Sequence, residues 1–338
     1  MRKHIGLKYI AEKTGFSIKT VSRALNEHPD VSEKTREVIL TTAKKYSYYP
    51  NLLAKSLRTK TAYAIGYIVP DITNEFFGKV GQTIEKIFKK HGYSLLISFT
   101  EESKENEIDA LRLLLAKRVD GIILATVGST GDFLRKVMHQ YTVPLVVIDN
   151  RIEGIKTNLV LHDNIKGAYI LTKHLLDHGH ENIGCITGPL NETSGKERLE
   201  GYKKALKEYG MQPDNSLIRI SNWRIDGGFA AAQELMKGSS QRPSAIFIGN
   251  SIMALGVYKA LKKMKLKVPD DVALVSFDNL EFTEALDPPL TTLDKAEHKI
   301  GKLAADLLLD RIRDKNHTKV EQHLIDGKLC IRRSCGCK

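Results

Sequence analysis

The stretch IAEKTGFSIKTVSRALN, residues 10–26, has the pattern of two short helices joined by a tight turn. Gly15 lacks the Cβ that would obstruct such a turn. Ser17 follows it and is a suitable N-cap for the second helix. The apolar stripe of that helix is formed by Val21, Ala24 and Leu25. These features predict a helix-turn-helix unit.

The opposite face of the second helix carries side chains that hydrogen-bond to base edges or phosphates. They are Lys19, Thr20, Ser22, Arg23 and Asn26. A recognition helix in the major groove needs this division into an apolar side and a polar side. We therefore interpret residues 18–26 as a DNA-reading helix.

The rest of the N-terminal region completes a small helical headpiece over residues 1–47. Ser32 can cap a third helix over 33–45, and Pro50 ends the bundle. Residues 48–61 are predicted to be a hinge helix and linker, although an ordinary interdomain linker is the alternative. Leu57, with basic neighbours, could enter the minor groove if this segment folds on DNA.

The net charge of +12 is concentrated in this region. Residues 1–60 hold thirteen basic and five acidic side chains, a net charge of +8. The remaining 278 residues are close to neutral, at +4. This polarisation predicts a nucleic-acid-binding module attached to a body with a different task.

From residue 64 onward, strands and helices alternate, and the same rhythm restarts near residue 183. Such alternation predicts two doubly wound lobes of parallel sheet with a ligand cleft between them. We expect a core over 62–338. Its N-lobe is expected to comprise about 62–160 plus 291–322, and its C-lobe about 161–290 plus 323–338.

Several protein classes are not expected. The longest apolar runs are far shorter than the roughly 18 residues that span a bilayer, and the N-terminus lacks the apolar core of a signal peptide. We therefore expect a cytoplasmic protein without a membrane partner. The absence of nucleotide-binding, hydrolase and zinc-protease motifs predicts no cofactor and no catalytic residues.

Two groups of metal-ligand residue types each look incomplete. Cys330, Cys335 and Cys337 have no complementary cysteine pair elsewhere in the sequence. His174 and His178 share a predicted helix face but lack an acidic third ligand at a fixed offset. No metal site is therefore expected.

The chain resembles the lac repressor (LacI/GalR) family of bacterial transcription regulators. The matching segments are TVSRALN (20–26), VSEKTR (31–36), YPNLLAKSL (49–57), IGYIVPDITNEFF (65–77), VDGIIL (119–124), Gly179-His180, MALG (253–256) and PLTT (289–292). The resemblance implies a helix-turn-helix headpiece, a hinge helix and a dimeric core similar to periplasmic sugar-binding proteins. It covers essentially the whole chain.

The resemblance also implies residue roles in DNA binding. By position, Ile18, Lys19 and Arg23 correspond to base-reading residues. Backbone-contacting positions fall on Ser17, Thr20, Ser22, Asn26, Ser32 and Asn51. Ala54 and the leucine wedge Leu57 complete the implied DNA contacts. The partner would be a near-palindromic operator bound by a homodimer. The C-terminus lacks leucine heptads after Asp310, so no terminal coiled coil is expected.

In the core, the resemblance implies a cleft for a small effector. Its positions fall on Asp71, Asn74, Phe76, Thr126, Asp149, Lys196, Arg198, Trp223, Asn250, Asp278 and Lys295. Carboxylates and amides bind hydroxyl pairs and aromatic rings face a sugar ring, so the set suits a sugar. Trp223 has core packing as its alternative role.

Two departures from the family pattern hint at an anionic effector, such as a sugar acid or sugar phosphate. Ser251 replaces an acidic residue, and Lys196 lies beside Arg198 and near Arg151. The predicted function is a repressor of carbohydrate-utilisation genes controlled by this effector. A regulator that responds to a protein corepressor and a sugar-acting enzyme remain the alternatives.

Overall fold

The computed structural model describes residues 6–49, 56, 59, 61–238, 242–314 and 319–337. The chain divides into two compact units between Ala62 and Tyr63. The predicted DNA contacts Asn51, Ala54 and Leu57 lie outside the described residues. The roles assigned to those three residues stay predictions.

The first unit is a bundle of three helices. They are α1 (Leu7–Thr14), α2 (Ile18–Leu25) and α3 (Glu33–Lys45). Gly15 ends α1 in the left-handed region at φ +73°, where glycine carries no steric penalty, and its N–H donates to the Ala11 carbonyl. The Ser17 Oγ accepts a hydrogen bond from the Thr20 N–H at 3.1 Å and so caps α2.

A small apolar core holds these helices together. Ile10, Val21, Ala24 and Ile39 are completely buried, one or two from each helix. Ser32 caps α3 in the same way as Ser17 caps α2, through the Thr35 N–H. The bundle therefore follows directly from the apolar spacing and the caps that the sequence contains.

The second unit contains two parallel sheets flanked by helices. In chain order the strands are β1 (Ala64–Val69), β2 (Ser94–Phe99), β3 (Gly121–Ala125), β4 (Leu145–Ile148), β5 (Asn158–His162), β6 (Ile183–Thr187), β7 (Ile218–Ile220), β8 (Ala245–Ile248), β9 (Ala273–Phe277), β10 (Thr291–Asp294), β11 (Gln322–Ile325) and β12 (Lys328–Cys330). The helices are α4 (Glu75–Lys90), α5 (Lys104–Ala116), α6 (Gly131–Gln140), α7 (Asn164–Asp177), α8 (Thr193–Glu208), α9 (Ile225–Gly238), α10 (Ser251–Lys263) and α11 (Glu297–Arg313).

Each sheet has six strands among the described residues. Their orders are β11-β5-β4-β3-β1-β2 and β12-β10-β9-β8-β6-β7. All neighbours are parallel except β12, which runs antiparallel to β10. Central strands such as β3, β4 and β9 are buried along their whole length because helices cover both faces. This arrangement confirms the predicted fold class.

In the C-terminal part, the chain passes from one lobe to the other at different residues from those expected. Residues 291–294 were expected in the N-lobe, but β10 pairs with β9 in the second sheet, where Leu293 packs in the core of the C-lobe. Residues 323–325 were expected in the C-lobe, but β11 pairs with β5, which itself continues to His162. Leu293 of β10 and Ile325 of β11 are both buried where these strands pair, which favours the observed pairing.

No helix among the described residues is both long enough and apolar enough to cross a membrane.

Candidate ligand cleft and DNA-recognition helix

Helix α2 separates its side chains as the sequence predicts. Val21 and Ala24 are buried against the bundle, whereas Ser17, Ile18, Lys19 and Asn26 are exposed. The exposed capping residue Ser32 lies at the start of α3, and Thr20, Ser22 and Arg23 are partly exposed. The implied DNA-contacting residues of the described headpiece therefore have accessible surface.

Two features of this surface bear on DNA binding. Ile18 is an apolar side chain that is 49% exposed, as a residue contacting a thymine methyl group must be. The Arg23 guanidinium lies 3.5 Å from the Asp30 carboxylate, and both side chains are substantially exposed. Because this ion pair is solvated, it is weak, and a phosphate or a guanine edge can replace Asp30.

The second unit contains a cavity beyond the carboxyl ends of the strands of both sheets. Of the eleven predicted cleft residues, the following eight line it: Asn74, Phe76, Asp149, Arg198, Trp223, Asn250, Asp278 and Lys295. Asp149, Asp278 and Lys295 each follow a strand directly, which explains why these three positions, far apart in sequence, converge there.

A buried ion triad occupies one side of the cleft. The Lys295 Nζ lies 3.3 Å from Asp149 Oδ1 and 3.4 Å from Asp278 Oδ1. It also lies 3.6 Å from the centre of the Phe76 ring, a cation–π contact. Asp149 and Asp278 both have positive φ, at +67° and +70°, each directly after a strand end. Such backbone conformations are uncommon for residues other than glycine and concentrate at functional sites.

Trp223 forms the opposite wall. Its indole ring packs directly on Gly188, where a Cβ atom would collide with the ring. The indole Nε1–H donates to Glu192 Oε2 at 2.8 Å, and the Asn250 amide donates to the Trp223 carbonyl at 3.1 Å. Close packing against Gly188 and these two hydrogen bonds therefore fix the position of Trp223, which lines the cavity.

Arg198 is buried, and two of its three guanidinium nitrogens donate hydrogen bonds to the protein. Its Nε–H donates to Asn164 Oδ1 at 2.9 Å, and Nη1 donates to the Gly249 carbonyl. The guanidinium also lies 4.1 Å from the centre of the Phe277 ring. This side chain therefore ties Asn164 to the Gly249 carbonyl at the edge of the cleft.

Two acidic residues of the cleft were not identified from the sequence, Glu102 and Glu192. Burial, reinforced by the Asp149 carboxylate, raises the pKa of Glu102 to about 7. Burial, reinforced by Glu102, raises the pKa of Glu192 to about 8. The available signal was positional, since each follows a predicted strand and precedes a predicted helix, as several predicted cleft residues do.

Three predicted cleft residues do not line the cavity. Asp71 is exposed and accepts hydrogen bonds from the N–H and hydroxyl of Thr73. Thr126 is buried and donates to Glu107 Oε1 at 2.9 Å. Lys196 is exposed on α8. The ligand-binding roles predicted for them lack support in the described cavity.

The hint of an anionic effector is not supported either. Lys196 is exposed, and Arg151 lies 3.7 Å from Glu197 rather than lining the cavity. The described lining contains four carboxyl groups and two cations, and one of these cations, Lys295, is already paired with two of the carboxylates. Ser251 donates to the Phe277 and Asp278 carbonyls and so serves the backbone of the cleft.

Replacing Glu192 with glutamine is expected to stabilise the core at high pH. The pKa of Glu192 is about 8 in the folded chain, against its usual 4.5. Between these values the unfolded chain loses a proton that the folded chain keeps, so this group makes stability fall as pH rises. Since one pKa unit corresponds to about 1.4 kcal/mol, we expect Glu192→Gln to raise the free energy of unfolding by about 2 kcal/mol or more near pH 9.

Urea unfolding followed by the fluorescence of Trp223, the single tryptophan, measures this difference near pH 5 and near pH 9. Glu85→Gln is the matched control because Glu85 is exposed on α4. A gain for Glu192→Gln that is the same at both pH values would contradict the raised pKa.

Models of known protein families match both units of the chain. The family model described as "Bacterial regulatory proteins, lacI family" matches residues 6–51. The model described as "Periplasmic binding proteins and sugar binding domain of LacI family" matches residues 62–333. Together they span the headpiece and nearly all of the core.

Relatives match over almost their whole length. The transcriptional repressor PurR of Photobacterium profundum is 33% identical over 97% of this chain and 98% of its own. The ribose operon repressor of Escherichia coli (strain K12) is 35% identical over 90% of this chain and 92% of its own.

Solved structures of transcriptional regulators are similar to this chain over nearly its whole length. The lac repressor dimer bound to operator and the anti-inducer ONPF superimposes with a TM-score of 0.87 at 28% identity, covering 98% of this chain and 99% of that one. The CelR–cellobiose complex, a transcriptional regulator, has a TM-score of 0.74 at 27% identity, covering 98% and 100%. The chain therefore belongs to the LacI family of bacterial regulatory proteins, as a DNA-binding transcriptional regulator with a ligand-binding core.

Proposed function

We propose that this regulator represses carbohydrate-utilisation genes in the cytoplasm, where it meets its operator, and that a neutral sugar in the cleft controls its affinity for DNA. The observation that carries the proposal is the pairing of Lys295 with both Asp149 and Asp278. The only other cation of the described lining, Arg198, is also engaged. A phosphate or carboxylate ligand would approach the carboxylates of Asp149 and Asp278, and the charge of Lys295 is already shared between them.

A neutral sugar suits the same surface. Its hydroxyl groups can donate to the carboxylates of Asp149 and Asp278, and the Asn250 amide offers both a donor and an acceptor. Trp223 and Phe76 supply flat apolar faces for the C–H side of a sugar ring. One similar solved structure is that of a transcriptional regulator bound to cellobiose, and one sequence relative is a ribose operon repressor. Cellobiose and ribose are both neutral sugars.

A ligand screen with the full-length protein tests the proposal. Thermal shifts are measured with neutral mono- and disaccharides, sugar phosphates, sugar acids and purine bases, because a specific ligand must raise the melting temperature. We expect a neutral sugar to give the largest shift. A purine or a sugar phosphate that stabilises the protein while neutral sugars do not would contradict the proposal.

Trp223→Leu is expected to weaken binding of that sugar by about tenfold or more, since it removes the stacking face and costs at least about 1.4 kcal/mol. Isothermal titration calorimetry measures the loss. Tyr141→Leu serves as control because Tyr141 is an exposed aromatic residue that does not line the cavity. Equal affinity of the two variants would remove Trp223 from the site.

We also infer that the cleft binds its sugar without converting it. The relatives that match along their whole length are named as repressors. The raised pKa values of Glu102 and Glu192 resemble those of acid–base pairs in enzymes. Conversion of the sugar must therefore be tested directly. Chromatography of the sugar after prolonged incubation with purified protein should recover it unchanged, and any product that depends on Glu192 would overturn the inference.

A further inference from the structure

Two histidines and two cysteines meet in the C-lobe, outside the cleft. His174 and His178 lie one turn apart near the end of α7, and Cys335 and Cys337 belong to the turn that follows β12. The Cys337 Sγ is 3.3 Å from His174 Nε2 and 3.0 Å from Cys335 Sγ. One ligand atom each from His174, His178 and Cys337 lies within 4.8 Å of the others.

We propose that these four side chains form a binding site for Zn²⁺ or a similar thiophilic divalent cation. Two thiolates and two imidazoles are a ligand set that zinc takes in closed, tetrahedral structural sites. The sequence contains the two halves about 160 residues apart, and each half alone is incomplete. The fold joins the histidine half to the cysteine half.

Two of the six spacings among the four ligand atoms are close to those of a tetrahedral site. With bonds of about 2.3 Å to sulfur and about 2.1 Å to nitrogen, two sulfurs lie about 3.8 Å apart and a sulfur–nitrogen pair about 3.5 Å apart. The observed 3.0 Å and 3.3 Å are shorter because the thiols and the imidazole contact each other directly. Gly336, in the left-handed region at φ +79°, joins the two cysteines, and Cys337 is partly exposed, so a small outward shift of Cys337 is sufficient.

The histidines are oriented as metal ligands usually are. The His178 Nδ1 lies 2.7 Å from the His174 carbonyl oxygen. If Nδ1–H donates to that carbonyl, the lone pair of Nε2 is free for a cation, which is the hydrogen-bonding arrangement typical of ligating histidines. The centres of the two rings are 4.5 Å apart, and one ligand atom of each ring lies within 4.8 Å of the other.

Other residues of the same types belong to other contacts and provide controls. His180 Nδ1 lies 3.0 Å from the Ser244 hydroxyl. Cys330 Sγ lies 3.8 Å from the Lys328 carbonyl on β12. Neither is in the four-residue cluster, although His180 is only two residues from His178.

A cation here would tie the C-terminal turn to α7. Ser334 within that turn already accepts from the Thr291 N–H and donates to the Leu274 carbonyl, which fastens the turn to the sheet of the C-lobe. Ten residues of α7, about 15 Å, separate His174 from Asn164, the partner of Arg198 in the cleft. We therefore expect the ion to affect the stability of the C-lobe and not the affinity for the effector.

The test uses the full chain, purified under reducing conditions and stripped of metal with a chelator. Titration with Co²⁺ should give one equivalent per chain, with the visible bands of tetrahedral cobalt and a thiolate-to-cobalt charge-transfer band. Zn²⁺ should displace the cobalt and raise the melting temperature. Cys337→Ser and His178→Ala, both at accessible positions, should each weaken binding by about tenfold or more.

The variants Cys330→Ser and His180→Ala should bind like the unaltered protein. The proposal is overturned if cobalt gives no charge-transfer band, or if the two cluster variants bind as tightly as the two controls. It is equally overturned if Zn²⁺ raises the melting temperature of all four variants to the same extent, since the ion would then bind elsewhere. Circular dichroism of each variant without metal shows that a loss of binding is not a loss of folding.

Discussion

Replacing Lys295 with methionine is expected to lower the free energy of unfolding of the core by about 3–5 kcal/mol. Lys295 is 3% exposed, and its ammonium group is shared by Asp149 and Asp278, which are 14% and 4% exposed. The methionine retains most of the volume but leaves two carboxylates together in a buried site without a counter-ion. Their mutual repulsion and their lost solvation both oppose folding.

Urea unfolding followed by Trp223 fluorescence reports this transition in the core, since the headpiece contains no tryptophan. Lys299→Met is the matched control because Lys299 is exposed on α11, and a change within about 0.5 kcal/mol is expected there. If both variants unfold at the same urea concentration, the triad contributes nothing to stability.

A second variant separates the cost of unpaired charge from the loss of packing. Asp149→Asn, Asp278→Asn and Lys295→Met together remove all three charges, and we expect this triple variant to recover most of the lost stability. It should bind the sugar more weakly than the unaltered protein, because each neutral amide offers one acceptor oxygen in place of the two oxygens of a charged carboxylate. A triple variant as unstable as Lys295→Met alone would indicate that packing by the lysine stem is the larger contribution.

The buried triad also shows which parts of the cleft could be predicted. Asp149 and Asp278 follow buried strands, and parallel sheets bring such positions to one edge, so sequence position and chemistry agree. Glu102 and Glu192 also line the cavity but occupy irregular loops, where no periodic pattern marks them. Asp71, Thr126 and Lys196 match family positions, yet local hydrogen bonds or exposure keep them from the cavity.

In the fold, features set by neighbouring residues could be predicted, whereas features set by contacts between distant residues could not. Gly15, Ser17 and the apolar stripe of α2 determine the headpiece through contacts within a few residues, so the sequence predicts it well. The crossings between the lobes depend on which sheet a strand joins, and β10 and β11 carry no local signal for that choice. The histidine–cysteine cluster depends on a contact across about 160 residues and was missed for the same reason.

Affinity for the operator is expected to fall by about 10³-fold or more between about 50 and 200 mM salt. Residues 1–60 carry a net charge of +8, and the homodimer implied by the family resemblance would present two such headpieces to the DNA phosphates. Each neutralised phosphate releases a bound cation from the DNA, and added salt opposes that release. Affinity for the neutral sugar should change less than about twofold over the same range, because the ions of the cleft are paired and buried.

Fluorescence anisotropy with an operator duplex, selected from a random library with the full chain, measures the salt dependence, and calorimetry measures sugar binding. Lys19→Gln should reduce the slope of log affinity against log salt by about one for each headpiece, or about two for the dimer. Lys299→Gln removes the same charge from the core and should leave the slope unchanged. Equal slopes for these two variants would mean that total charge, rather than the exposed face of α2, attracts the DNA.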